Sequence, residues 1–334
     1  MRHYECLTGD LAAATAVYVP FYPALELNRH NCWSTAKERN GLSGEFLRWL
    51  STQPSWAAHG GRDHFMVAAR TTWLFRRRDE AGDALGCGNG FLAQPESGNM
   101  TPRPRGQYHV PLAAPPRRPL RLRPLLPPAS TRRPWLFAFA GGRRANGTLP
   151  IRDHIIDECT ASPPARCGML DCSHGRSATC RSPRRLVGLF ASARFCLQPR
   201  GDSFMRRSSI DTVLAGCIPV FFHEASTFKH QYRWHERDDD TTTTTDAGRR
   251  RYSVVINPQD VVEGRVRIDE VLSRFTDDEV AAMREEVIKM IPRFVYKDPR
   301  VKFQGDMNDA FDVTFNEIMA RMRRIKKGEM LRWK

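Results

Sequence analysis

No run of 18 apolar residues occurs anywhere in this 334-residue chain, so it encodes no transmembrane helix. The nearest approach, Leu11–Leu27, holds Pro20, Pro23 and two tyrosines and reads as strand and turn. No basic n-region leads into an apolar h-region at the start, and no signal peptide is expected. CxxC spacing is absent as well, which argues against a structural zinc site. Lysine is scarce, with 8 against 44 arginines in a chain of net charge +15. That skew, beside abundant Ala, Gly and Pro, looks like coding bias. With no interleaving of aromatic and basic residues, it gives no nucleic-acid motif and no nucleic acid is expected as a partner. From Thr101 to Pro134 there is no Lys, Asp or Glu, only ten Pro and eight Arg among small and apolar residues. Such a stretch cannot bury a core and reads as an extended linker, or as an error of reading frame or splicing.

What is present describes a globular protein of about two domains, with 41% apolar and 27% charged residues. Its most informative stretch is Arg194 to His223. Arg194–Gln198 is a short apolar run closed by a proline, the pattern of a buried strand. Pro199 through Ser203 is turn chemistry, and Arg206–Ala215 has Ile210, Val213 and Leu214 on one helical side. Gly216 stands where a glycine after a helix belongs, and Ile218–Phe222 is a second apolar run. A strand, loop, helix and strand within about 30 residues form a βαβ unit, and hence an α/β fold with a parallel sheet.

The chemistry of such a unit sits where the first strand passes to the helix. Free N–H groups and the helix dipole favour a phosphate there. Arg206 and Arg207 fall in the first turn, where guanidinium groups can grip a diphosphate bidentately. Asp211, one turn beyond Arg207, suits the hydroxyls of a ribose. The same spacing also describes a plain Arg207–Asp211 ion pair on a helix surface.

A second candidate site is Gly60-Gly61-Arg62-Asp63-His64-Phe65, in which Asp63 and His64 could act as a base and its orienting partner. Equally, Asp63 could cap beside a histidine satisfied by backbone. Cys159, Cys167, Cys172 and Cys180 lie within 22 residues and read as local disulfides of an oxidising compartment, whereas Cys196 and Cys217 read as buried thiols. Asn99 and Asn146 begin Asn-x-Thr sequons. Gly86, Gly88 and Gly90 form a weak phosphate cradle, and Arg76–Glu80 a solvated face. Asp238–Asp240 beside Thr241–Thr245 is a solvated loop, not a metal-binding DxD, so no metal is expected.

Short elements complete the pattern. Strands are expected at Val17–Tyr22, Trp135–Gly142, Gly168–Cys172 and Tyr252–Ile256. Helices are expected at Leu42–Leu50 and Ile151–Cys159, from the capping box Thr276–Glu279 to Pro292, and from Phe311 to Ile325.

Phe195 through Pro199, Gly201-Asp202-Ser203, Arg206-Arg207, Asp211 and Leu214 through His223 together resemble the core signature of the exostosin-type glycosyltransferases, in their plant xyloglucan galactosyltransferase branch. Val19–Tyr22, the Gly60–Phe65 motif and the Trp135–Gly142 strand also resemble segments of that family. The resemblance implies a GT-B architecture, two Rossmann-like domains facing a cleft with C-terminal helices. It suggests an N-terminal acceptor-side domain over 11–100, the linker over 101–134, a nucleotide-sugar domain over 135–300, and a helix and basic tail over 301–334. It implies an inverting, metal-independent transfer of a sugar, with galactose the first choice, from a UDP-sugar to a polysaccharide such as xyloglucan. The Gly201–Ser203 loop, Arg206 and Arg207 would hold the diphosphate, Asp211 the ribose, and Asp63 or His64 would deprotonate the acceptor. The resemblance implies a place in the Golgi lumen, normally by an N-terminal membrane anchor, so that this chain is expected either to be without its anchor or to be an incomplete product. It also suggests association with other Golgi transferases. The alternative from a different class is a non-catalytic family member serving as a partner subunit.

Overall fold

The computed structural model describes residues 6–29, 35–68, 133–144, 147–163, 166–173, 180, 182–201, 203–236, 251–297 and 308–329. The glycine-rich 86–90 stretch, most of the 101–134 segment, the Asp238–Thr245 insertion, Asp202, Asn99 and Asn146 lie outside these residues. The chain divides into two compact units, residues 1–105 with 315–334, and residues 106–314.

The first unit contains β1 (Val17–Tyr18), α1 (Pro23–Arg29), α2 (Ala36–Ser51), α3 (Pro54–His59) and β2 (His64–Phe65). β1 and β2 pair in parallel, Val17 opposite His64. The expected strand over 17–22 stops at Tyr18, because Pro23 opens a helix almost at once. α2 begins well before the apolar stripe of Leu42–Leu50. Thr35 and Glu38 cap each other's backbone N–H in a reciprocal box, which fixes the start. Phe21 stacks on Phe46 at 4.1 Å, and these rings with Ala24, Leu47 and Met66 form a small core.

The second unit is a five-stranded, wholly parallel sheet of β3 (Trp135–Gly141), β4 (Cys167–Asp171), β5 (Ala193–Gln198), β6 (Ile218–Phe221) and β7 (Val254–Val255). Between them run α4 (Pro150–Ala161), α5 (Pro183–Ala191), α6 (Arg207–Leu214) and α7 (Phe228–Gln231). α8 (Pro258–Val262), α9 (Ile268–Ser273) and α10 (Asp277–Met290) follow. A last helix, α11 (Ala310–Lys326), starts in this unit and passes at Phe315 into the first. Within the first unit Phe315 places its ring 6.5 Å from that of Phe65.

Strand periodicity distributes the core. Phe137, Phe139, Phe195 and Leu197 cluster with Ile151, Ile155 and Ile156 of α4, while Ala138 and Cys196 cluster with Leu189 and Phe190 of α5. Helices thus cover both faces, as buried parallel strands require. The strand order is β4-β3-β5-β6-β7. From β3 the chain steps outward to β4 and returns to β5 on β3's other side, so a topological switch point falls between the carboxyl ends of β3 and β5. In open parallel sheets that is where ligands bind. Among the described residues no helix is long and apolar enough to cross a membrane.

Candidate active site

β5 delivers the chain to the switch point. Gln198, its last residue, is buried and accepts from Ser208 Oγ at 2.6 Å while donating to Thr212 Oγ1 at 2.8 Å. One side chain on the strand therefore locks two successive turns of α6. Ser209 Oγ bonds to the carbonyl of Arg206 at 2.6 Å, and Gly201 N–H to the carbonyl of Ser203 at 3.2 Å, which closes the intervening loop on itself. At the far end Gly216 has φ of 60°. Gly216 N–H reaches Val213 O and Cys217 N–H reaches Thr212 O, the paired bonds of a Schellman stop.

The two arginines are not equivalent. α6 starts at Arg207, and Arg206 precedes it in extended backbone (φ −130°, ψ 129°), so only Arg207 belongs to the first turn. The Arg206 guanidinium lies over Gly201, and a Cβ there would collide with it. Arg207 is exposed. Asp211 is half-buried, and that burial pushes its carboxyl above the usual range, with Arg207 pulling it back. Gly201, Ser203, Arg206, Arg207 and Asp211 are thus gathered between the end of β5 and the body of α6.

Asp63 and His64 come together in the first unit. Gly60 and Gly61 carry φ of 57° and 71°, a double left-handed turn open to few other residues. That turn ends α3 and swings Asp63 into position. His64 Nδ1 lies 2.8 Å from Asp63 Oδ1, and Nε2 lies 3.4 Å from Ser55 Oγ. Both side chains are buried, at 3% and 5% exposure for His64 and Asp63. With Asp63 ionised, Nδ1–H donates to it and Nε2 is left as the acceptor, facing a hydroxyl. An imidazole oriented by a carboxylate is the arrangement of a general base. It also ties β2 down, since Asp63 O accepts from Val17 N–H at 2.9 Å.

Three disulfides frame the second unit. Cys159 pairs with Cys167 and Cys172 with Cys180, linking α4 to β4 and closing the segment after β4. Cys196 and Cys217, expected as thiols, form a third. The α6 crossover returns the chain beside β5 with their Cα atoms 5.9 Å apart, within bonding geometry.

Several contributors carried little sequence signal. Gln198 and His223 ended recognisable runs but had no evident partner, and Ser208, Thr212 and Phe204 looked like ordinary helix and loop residues. Arg133 stood at the edge of the Pro/Arg stretch. It is buried and donates to the carbonyls of Phe190, Ala193 and Ala215 at 2.7–2.9 Å, satisfying the carboxyl ends of α5 and α6.

The second unit is thus a doubly wound parallel α/β domain with a basic, glycine-containing loop beside its switch point. A model of the exostosin GT47 domain matches residues 1–272, and the chain belongs to that family. It is 36% identical over 344 residues to the xyloglucan galactosyltransferase MUR3 of Arabidopsis thaliana, covering 98% of this chain and 52% of that protein. Against xyloglucan galactosyltransferase XLT2 of the same plant it is 33% identical over 340 residues, 97% of this chain and 62% of the relative. Against "Probable xyloglucan galactosyltransferase GT15" identity is 35% over 352 residues, 98% and 69% respectively. The chain thus spans about half the length of MUR3 and about two thirds of the other two.

Proposed function

We propose that the protein is an inverting glycosyltransferase that moves a sugar, galactose in the first instance, from a UDP-sugar to a cell-wall polysaccharide such as xyloglucan. The observation that carries this reading is the set of Gly201, Ser203, Arg206, Arg207 and Asp211 gathered at the carboxyl end of β5 beside the switch point. The relatives' names supply the substrate class. Asp202 completes the loop in this reading, and the two units correspond to the acceptor and donor halves of a GT-B enzyme.

The reaction is a displacement at the anomeric carbon. The acceptor hydroxyl gives up its proton to a base, for which Asp63 and His64 are the candidates, and its oxygen bonds to the sugar as the sugar–phosphate bond breaks. Negative charge grows on the departing diphosphate. Arg206 and Arg207 with the α6 N-terminus stabilise that charge without rearrangement. Asp211 holds the ribose hydroxyls. Two guanidinium groups and a helix end take the place a divalent cation holds in other transferases, so the reaction is proposed to be metal-independent. An oxidising lumen such as the Golgi, shared with other transferases, suits the three disulfides.

The test is UDP release by the secreted protein from a panel of UDP-sugars, in EDTA, with and without xyloglucan oligosaccharides. Acceptor-dependent release greatest with UDP-galactose is expected. Absence of acceptor-dependent release from every donor would sink the assignment.

A further inference from the structure

One group at the carboxyl ends of the strands has no part in that scheme. β6 ends at Phe221, and two residues on stands His223, with an exposed imidazole. Two contacts fix it. Its ring packs on that of Phe204, with centroids 4.5 Å apart and planes at 30°. Its Nδ1 accepts from Ala225 N–H at 3.0 Å, so the neutral ring carries its hydrogen on Nε2. Phe204 belongs to the loop between β5 and α6, and the Arg200 guanidinium carbon lies 5.5 Å from the same ring's centroid. Arg200, Phe204 and His223 thus join the end of β6 to the loop that carries Gly201 and Arg206. The Nε2–H group has no hydrogen-bond partner among the described residues.

An N–H donor locked in direction by a stack and a backbone bond needs no reorganisation to meet an oxyanion. The rim around it is basic. Arg200, Arg206 and Arg207 lie within eight residues of one another, against the described carboxylates of Asp211 and of Glu224, the residue after His223. Both ring nitrogens are then accounted for, one by the fold and one by an anion. Resting on the reading of this loop as the donor site, we propose that His223 is a further donor-binding residue. Its Nε2–H donates to a phosphate oxygen of the nucleoside diphosphate, and Phe204 aligns the ring.

Calorimetric titration of the whole protein with UDP, and separately with uridine, tests this. His223→Ala is expected to weaken UDP about tenfold, the effect of one hydrogen bond to a charged oxygen, and to leave uridine within about twofold. His223→Asn keeps an acceptor for Ala225 N–H but offers no N–H at the Nε2 position, and should show the same UDP-selective loss even if the alanine variant fails to fold. His223→Gln, whose amide nitrogen reaches that position, should recover part of the affinity. Unchanged UDP affinity in His223→Asn would overturn the inference, as would an equal loss for uridine, which would make His223 a wall for the base. If the parent bound no UDP, the donor-site reading would fall first and this inference with it.

Discussion

Asp211 shows how burial sets the chemistry of a single residue. Removing its carboxyl from water raises its pKa, and Arg207 offsets only part of that effect. A raised pKa means that the folded state holds the proton more firmly than the unfolded chain. Stability from this group is therefore greater at low pH and declines as pH rises through the carboxylate range. Hydroxyl donors such as those of a ribose would offset the cost of the charge. Asp211→Asn is expected to melt at or above the parent temperature at pH 7, yet to raise the donor KM about tenfold. A lower melting temperature with an unchanged KM would make Asp211 a structural partner of Arg207. At this scale, sequence spacing has a clear limit. Arg206 and Arg207 are adjacent and chemically identical, but the backbone separates them: one is extended over Gly201, the other opens a helix.

At the scale of elements, the unit from β5 to β6 was legible because its signals are local. A proline, a glycine-bearing turn, an apolar helical side and a C′ glycine occur in order, and each acts within a few residues. Its stabilising cross-link was not legible. Cys196 and Cys217 look like two apolar-run cysteines, and only the parallel pairing and register of β5 and β6 bring them together. Arg133 escaped notice for the same reason, since its three acceptors lie 57 to 82 residues away in sequence. The Cys196–Cys217 bond closes a loop of 21 residues, for which chain entropy gives about 3 kcal/mol. Cys196→Ser with Cys217→Ser should lower unfolding stability by about that amount in denaturant titrations under non-reducing conditions. Curves that overlay the parent's would mean that the bond contributes nothing to the fold.

For the molecule as a whole, the family and an α/β class with a parallel sheet could be read from the sequence, whereas the path of the last helix could not. α11 belongs partly to each unit, and nothing in its apolar stripe marks Phe315 as the point of passage. The start of that helix rests on a buried histidine. His235 is 0% exposed, and its Nε2 lies 3.3 Å from Ala310 O and 3.2 Å from Thr314 Oγ1. Burial lowers its pKa from 6.5 to about 4, with Arg293 adding to the effect against the bond to Ala310. The unfolded chain takes up this proton at higher pH than the folded protein. Stability should therefore be fully present above pH 6.5 and fall by about 3 kcal/mol as pH drops to about 4. His235→Gln should flatten that slope in denaturation series between those limits, and parallel profiles for parent and variant would contradict the assignment.

The central claim is that the loop and helix start after β5 hold the donor diphosphate. Arg207 tests it most directly, because its side chain is exposed and its loss should spare the fold. Turnover from UDP-galactose to a xyloglucan oligosaccharide should fall by about 10²–10³ in Arg207→Ala, as for removal of one charge-stabilising contact to a leaving group. Arg207→Lys, which keeps the charge and loses the planar fork, should recover only part of the rate. A surface pair with Asp211 would be worth about 0.5 kcal/mol or less and would leave turnover nearly intact. If both variants transferred sugar at the parent rate, the donor site would have to lie elsewhere in the chain.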